Sequence, residues 1–180
     1  MKRLFCIMTA LLLGWTASVS AQESKIPQRL ELAVVEQENT DERVEVFNSP
    51  KDGVNRYYLS VGKLGFGDKV LQIYFDPLFE LFIPLGENLT DVLEKLNELK
   101  ALCKAPVDSA VEWQGCLAFG FPNDKLEKVT ITHKKVLLGH SLAFSVEREG
   151  YIRMTYVSKS DISSLTGSIK FYSKLHPKER

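Results

Sequence analysis

The stretch KVLLGHSLAF, Lys135 to Phe144, decides how the second half of the chain folds. In its continuation Leu142, Phe144 and Val146 recur with period two. That spacing puts them on one face of a strand. A helix begun at Ser141 would also be cut off at Gly150. With Gly139-His140 as a two-residue turn, glycine comes first, as the type II′ geometry prefers. Leu137 then faces Leu142, His133 faces Val146, and Ile131 and Val129 continue the same face. Thr130, Thr132 and Lys134 fall on the other face with Ser145 and Glu147. A three-residue loop Arg148-Glu149-Gly150 would bring Ile152, Met154 and Tyr156 opposite Val146, Phe144 and Leu142. Read this way, the stretch predicts an antiparallel meander.

The same residues carry a second reading. Gly139-His140-Ser141-Leu142-Ala143 behind an apolar run resembles the nucleophile elbow of the α/β-hydrolases. That resemblance implies a small secreted serine esterase or acyltransferase, with Ser141, Asp161 and His176 in the hydrolase order. It also requires a helix after Ser141, several β-α crossovers before it and an upstream His-Gly-Gly donor motif. The chain has Ala143 where glycine is usual, one convincing helix before Ser141 and no such donor motif. The strand reading is preferred, with the triad as its alternative.

The first residues set the compartment. Lys2 and Arg3 precede an apolar run from Leu4 to about Trp15, and Val19-Ser20-Ala21 suits cleavage before Gln22. The run is shorter than the roughly 20 residues that span a bilayer. Residues 1–21 are therefore read as a signal peptide, 22–29 as a flexible leader, 30–173 as one globular domain and 174–180 as a basic tail. The expected location is periplasmic or extracellular, with no transmembrane segment after cleavage. Residues 22–180 hold 21 basic and 23 acidic side chains, and 125–180 alone hold eleven basic and five acidic. These charges are dispersed along strands without the interleaved aromatics of a nucleic-acid site, which excludes nucleic acid as the expected partner.

Cys103 and Cys116 remain after cleavage. In an oxidising compartment they are expected to pair, closing a short loop worth about 3 kcal/mol. Leu89 to Lys104 reads as the main helix. Asn88 is its N-cap with Asp91 three residues on, Leu89, Val92, Leu93, Leu96, Leu99 and Cys103 form one apolar face, and Pro106 stops it. Strands are expected at 30–34 and 44–46 around a turn at Glu38–Asp41, then at 56–64, 69–75, 78–83, 111–121, 126–138, 141–147 and 151–158. A helical turn Asp161–Leu165 capped by Ser160 and a last strand Ser168–Tyr172 complete the reading.

Gly62, Gly65 and Gly67 lack the order of a phosphate or dinucleotide loop and read as a hairpin loop. His133, His140 and His176 have no H-x-x-x-H spacing, so no metal or other cofactor is expected, and His133 falls on the apolar face of its hairpin. Asp108 and Glu112 beside Trp113 are read as exposed acids, not a glycosidase pair. The architecture these patterns favour is α+β, an antiparallel meander-rich sheet carrying one main helix, with a small closed β-barrel as the alternative. The function expected is that of an exported non-enzymatic binding or envelope-associated protein for a protein, glycan or small ligand.

Overall fold

A computed structural model describes residues 27–36, 43–64, 67–68, 73–74, 79–137 and 139–179. The signal-peptide reading, the turn at Glu38–Asp41, Gly65 and most of the expected strand 69–75 lie outside the described residues.

The strands are β1 (Leu30–Glu36), β2 (Arg43–Asn48), β3 (Tyr57–Leu64), β4 (Gly67–Asp68), β5 (Ile73–Tyr74), β6 (Phe79–Gly86), β7 (Ala110–Ala118), β8 (Glu127–Val136), β9 (Gly139–Arg148) and β10 (Tyr151–Ser158). Among the described residues the α-helices are α1 (Leu89–Leu102) and α2 (Lys159–Leu175). Eight strands form one antiparallel sheet in the order β1-β2-β3-β6-β7-β8-β9-β10, and β4 and β5 pair separately. The α+β reading holds. The barrel alternative does not, because β1 and β10 remain unjoined edges of an open sheet.

The sheet folds at β7. Residues 116–118 pair with β6 and residues 110–115 pair with β8. Gly115 sits at the change of partner. A Cβ there would lie 2.8 Å from the Phe82 carbonyl oxygen and 2.9 Å from Val129 Cγ2. Only glycine lets the strands approach so closely at the corner. The fold brings β10 up against β3 and creates a concave side that both helices fill. Leu89, Val92, Leu96 and Leu99 of α1 and Ile162, Leu165 and Ile169 of α2 pack there on Leu59, Leu81, Ile131 and Phe144.

The α1 capping expectation is met: the Asp91 N–H donates to Asn88 Oδ1 at 2.9 Å, and Asn88 Nδ2 donates to Asp91 Oδ2 at 2.9 Å. The end of the chain differs from the sequence reading. One helix runs from 159 to 175, where a helical turn and a strand were expected. Its N-cap is Ser158, not Ser160, with a capping box to Asp161. Ile162, Leu165 and Ile169 recur at helical spacing, and that stripe outweighs the short alternation near Ser168. In the basic end, Glu179 Oε2 accepts a 2.8 Å hydrogen bond from the buried Tyr57 hydroxyl. Burial, then this bond to a carboxylate, pushes the Tyr57 hydroxyl above its ordinary pKa.

Both hairpin registers are corrected. Val136 pairs with Gly139 and His133 with Leu142, so the β8–β9 turn precedes Gly139 and the ladder is slid by four residues. An even slip keeps every side chain on its face, so alternation could not detect it. The β9–β10 loop has two residues, not three. Glu149 and Gly150 take φ of 52° and 79°, both positive as a type I′ turn requires. Arg148 pairs with Tyr151, and Phe144 faces Thr155. This odd slip turns Ile152, Met154 and Tyr156 outward, and each is exposed.

The predicted disulfide is also overturned. Cys103 lies in the concave core, while Cys116 lies on the other side of the sheet with Phe47, Phe82 and Ala118. Adjacent Leu117 faces the helices, so Cys116 must point away from Cys103. Both thiols are free and buried, and burial pushes both above the usual thiol pKa. Protein spanning residues 22–180, purified without reductant, should show about two thiols per chain to an aromatic disulfide reagent when denatured and almost none when native at pH 8. No thiol in denaturant would restore the bridge.

Candidate binding cleft on the outer face

The side of the sheet away from the helices is not simply a solvated face. On β2, Val44 and Val46 enter the core, while Glu45 and Phe47 point outward yet are buried. Cross-strand pairing builds rows on this outer face. Glu45 pairs with Ser60, Ser60 with Phe82 and Phe82 with Cys116. In the neighbouring row Phe47 pairs with Tyr58, their rings stacked at 5.7 Å, and Phe82 meets Phe47 edge-on at 5.7 Å.

Arg29 covers these rows. It comes from the segment read as a flexible leader, but its guanidinium lies over the Phe47 ring at 4.5 Å and within 5.5 Å of the Phe82 ring. Its Nε and Nη2 donate to Glu45 Oε1, Nη2 donates to Glu80 Oε1 at 2.5 Å, and Nη1 donates to the Gly120 carbonyl at 2.8 Å. Ser60 Oγ donates to Glu80 Oε1 at 2.7 Å. Burial opposes the charge on Arg29, but the bonds and charges of Glu80 and Glu45 outweigh it and hold its pKa above the ordinary value. Burial pushes the Glu45 carboxyl up, against the pull of Arg29 and Arg43.

Beside this network lies a cleft of about 550 Å³. Pro27 and Pro50 border it, the loops around Lys51 and Asn123 wall it, and Arg56 and Tyr58 line it. A second concavity of about 400 Å³ shares Arg56, Tyr58, Asn123 and Asp124 and continues it toward Pro84 and Glu87. Lys51 Nζ donates to Asp124 Oδ2 at 3.0 Å, which holds the exposed Asp124 carboxyl below its usual range, and Arg56 Nη1 lies 3.9 Å from Oδ1. The buried Arg56 Nε has no hydrogen-bond partner among the described residues. The cleft therefore combines ring, proline, amide and both signs of charge, the mix found where a small number of polar groups orient a ligand.

The hydrolase residues are not brought together. Ser141 is buried in mid-sheet, paired with Lys134 and Ser158. The Asp161 carboxylate accepts from the Ser158 N–H at 3.2 Å in the capping box. His176 is the C-cap of α2, stacked on Tyr172 at 4.1 Å. Asp161 and His176 are thus about 22 Å apart along the helix at ~1.5 Å per residue. Ser141 lies within β9, which runs on to Arg148, so no helix starts there and the elbow geometry is absent.

Asp108 pairs with Lys134 at 2.6 Å and Glu112 with Lys128 at 2.5 Å, both on the surface. His133 is buried, as its face required. Its Nδ1 meets the Ala105 carbonyl and its Nε2 meets His140 Nδ1, both at 2.8 Å. Among the described residues no group of three or more His, Cys, Asp or Glu is placed to hold a metal ion. No described helix is long and apolar enough to cross a membrane.

Sequence reasoning missed Arg29, Glu45, Arg56 and Tyr58. The available signal was β2 itself, where Glu45 and Phe47 interleave with Val44 and Val46, so that both faces of the strand are candidates for burial. The chain matches no family model, no curated protein and no solved structure.

A fluorophosphonate probe should leave Ser141 unlabelled on the folded protein, and wild type and Ser141→Ala should give the same background. Labelling lost only in the variant would restore the nucleophile.

Proposed function

We propose that the protein is an exported, non-enzymatic binding protein that takes its ligand in the outer-face cleft around Arg56 and Tyr58. The observation that carries this reading is the construction of that face. Its rings are immobilised by cross-strand packing, yet the cleft beside them stays open. A pre-organised cleft spends little of its binding free energy on ordering itself. Its lining suits a ligand with an extended, partly apolar body and spaced hydrogen-bonding groups, as in a peptide or glycan. The helices fill the concave side, which leaves the outer face as the surface offered to a partner.

The test is an amide NMR titration of residues 22–180 with a panel of short peptides and oligosaccharides. Shifts centred on Arg56, Tyr58, Asn123 and Asp124 are expected, with affinity at least about tenfold weaker in Arg56→Ala. Binding centred on the β9–β10 side, unchanged in that variant, would overturn the proposal.

A further inference from the structure

The place that Arg29 occupies is built by other parts of the chain. Two carboxylates, one backbone carbonyl and two aromatic rings converge on a single guanidinium. This set matches a planar fork of N–H donors with a stackable face, and it does not match an ammonium point charge. The Glu45 side chain is fully buried, and its Oε2, 3.0 Å from Arg43 Nη2, makes no hydrogen bond among the described residues. Arg43 thus flanks the acidic side of the socket, on the Glu45 oxygen that Arg29 does not reach.

The segment that delivers Arg29 is more exposed than the socket. Pro27, Gln28 and Leu30 are exposed, and β1 joins β2 across a register shift between Glu31 and Ala33. The socket also opens on the cleft. Pro27, two residues before Arg29, and Pro122, two residues after Gly120, both line it.

We propose that the socket is a receptor for an arginine side chain presented by a peptide segment, and that Arg29 is its tethered occupant. The incoming peptide lies in the cleft along the path of Pro27 and exchanges its guanidinium for that of Arg29. Tethering gives Arg29 an effective concentration of about millimolar, so free arginine competes poorly and a peptide must add contacts in the cleft. This deepens the cleft proposal and rests on it. It makes the Pro27–Arg29 segment a displaceable strap and names arginine-bearing peptide as the ligand class.

The experiment uses Arg29→Met in residues 22–180, which keeps an apolar side chain at position 29 and empties the guanidinium position. N-acetyl-arginine amide and N-acetyl-lysine amide are the probes. The arginine probe should raise the melting temperature in a dose-dependent way and shift the amides of Glu80, Phe82 and Gly120, with the lysine probe at least about tenfold weaker. The wild type should respond to neither at the same concentrations. Where Arg29→Met folds poorly, the same titration of Arg29→Lys gives the same ordering of probes. Equal response to both probes, or silence at Glu80 and Gly120 under saturating arginine amide, overturns the receptor. If other peptides or glycans then still shift Arg56 and Asn123, the cleft stands and only the socket falls.

Discussion

The part-buried contact between Arg29 and the carboxylates of Glu45 and Glu80 is the constraint on which the outer face depends. Taking such charges out of water costs several kcal/mol per ion, and the cost is recovered only when hydrogen bonds are well made on both sides. Here Arg29 bonds both carboxylates, Ser60 adds a donor and the rings of Phe47 and Phe82 lie beneath the guanidinium. Removing Arg29 would leave Glu45 buried with only Arg43 beside it. The network therefore specifies where Arg29 and the start of β1 lie and how β2 and β6 are aligned, more than it adds net stability.

The sheet makes this possible through its corner. Because β7 changes partner at Gly115, the strands curl around the helices and one side becomes a closed core. The outer side of β2, β3 and β6 can then carry a small second cluster and a polar network without competing for the helices. Cys116 belongs to that cluster, and the same geometry separates it from Cys103. A corner that accepted a Cβ would push β6 away from β7 and spread the row that runs from Glu45 to Cys116.

Much of the fold is legible in the sequence because it rests on local chemistry. Asn88 and Asp91 announce α1, its apolar stripe names its buried face, and period-two patterns mark β8, β9 and β10. What was illegible depends on parity and on distant partners. A slip of four residues in β8–β9 preserves every face, so no pattern of Leu and Val distinguishes it. The Glu149-Gly150 turn flips β10 although Ile152, Met154 and Tyr156 look like core residues. The cysteine pair was inferred from compartment and spacing, and strand parity at Leu117 decides against it. Of the candidate site almost nothing was readable. A single arginine in a polar leader has no local signature, and its partners are 16 and 51 residues away.

A double-mutant cycle on Arg29→Met and Glu45→Leu, measured by denaturant unfolding of residues 22–180, tests the central claim most directly. Each single change should cost roughly 2–4 kcal/mol, and the double variant should be less destabilised than their sum by at least about 2 kcal/mol, because removing both charges leaves neither buried alone. Costs that add to within about 0.5 kcal/mol would show that Arg29 and Glu45 do not depend on each other, and would contradict the account.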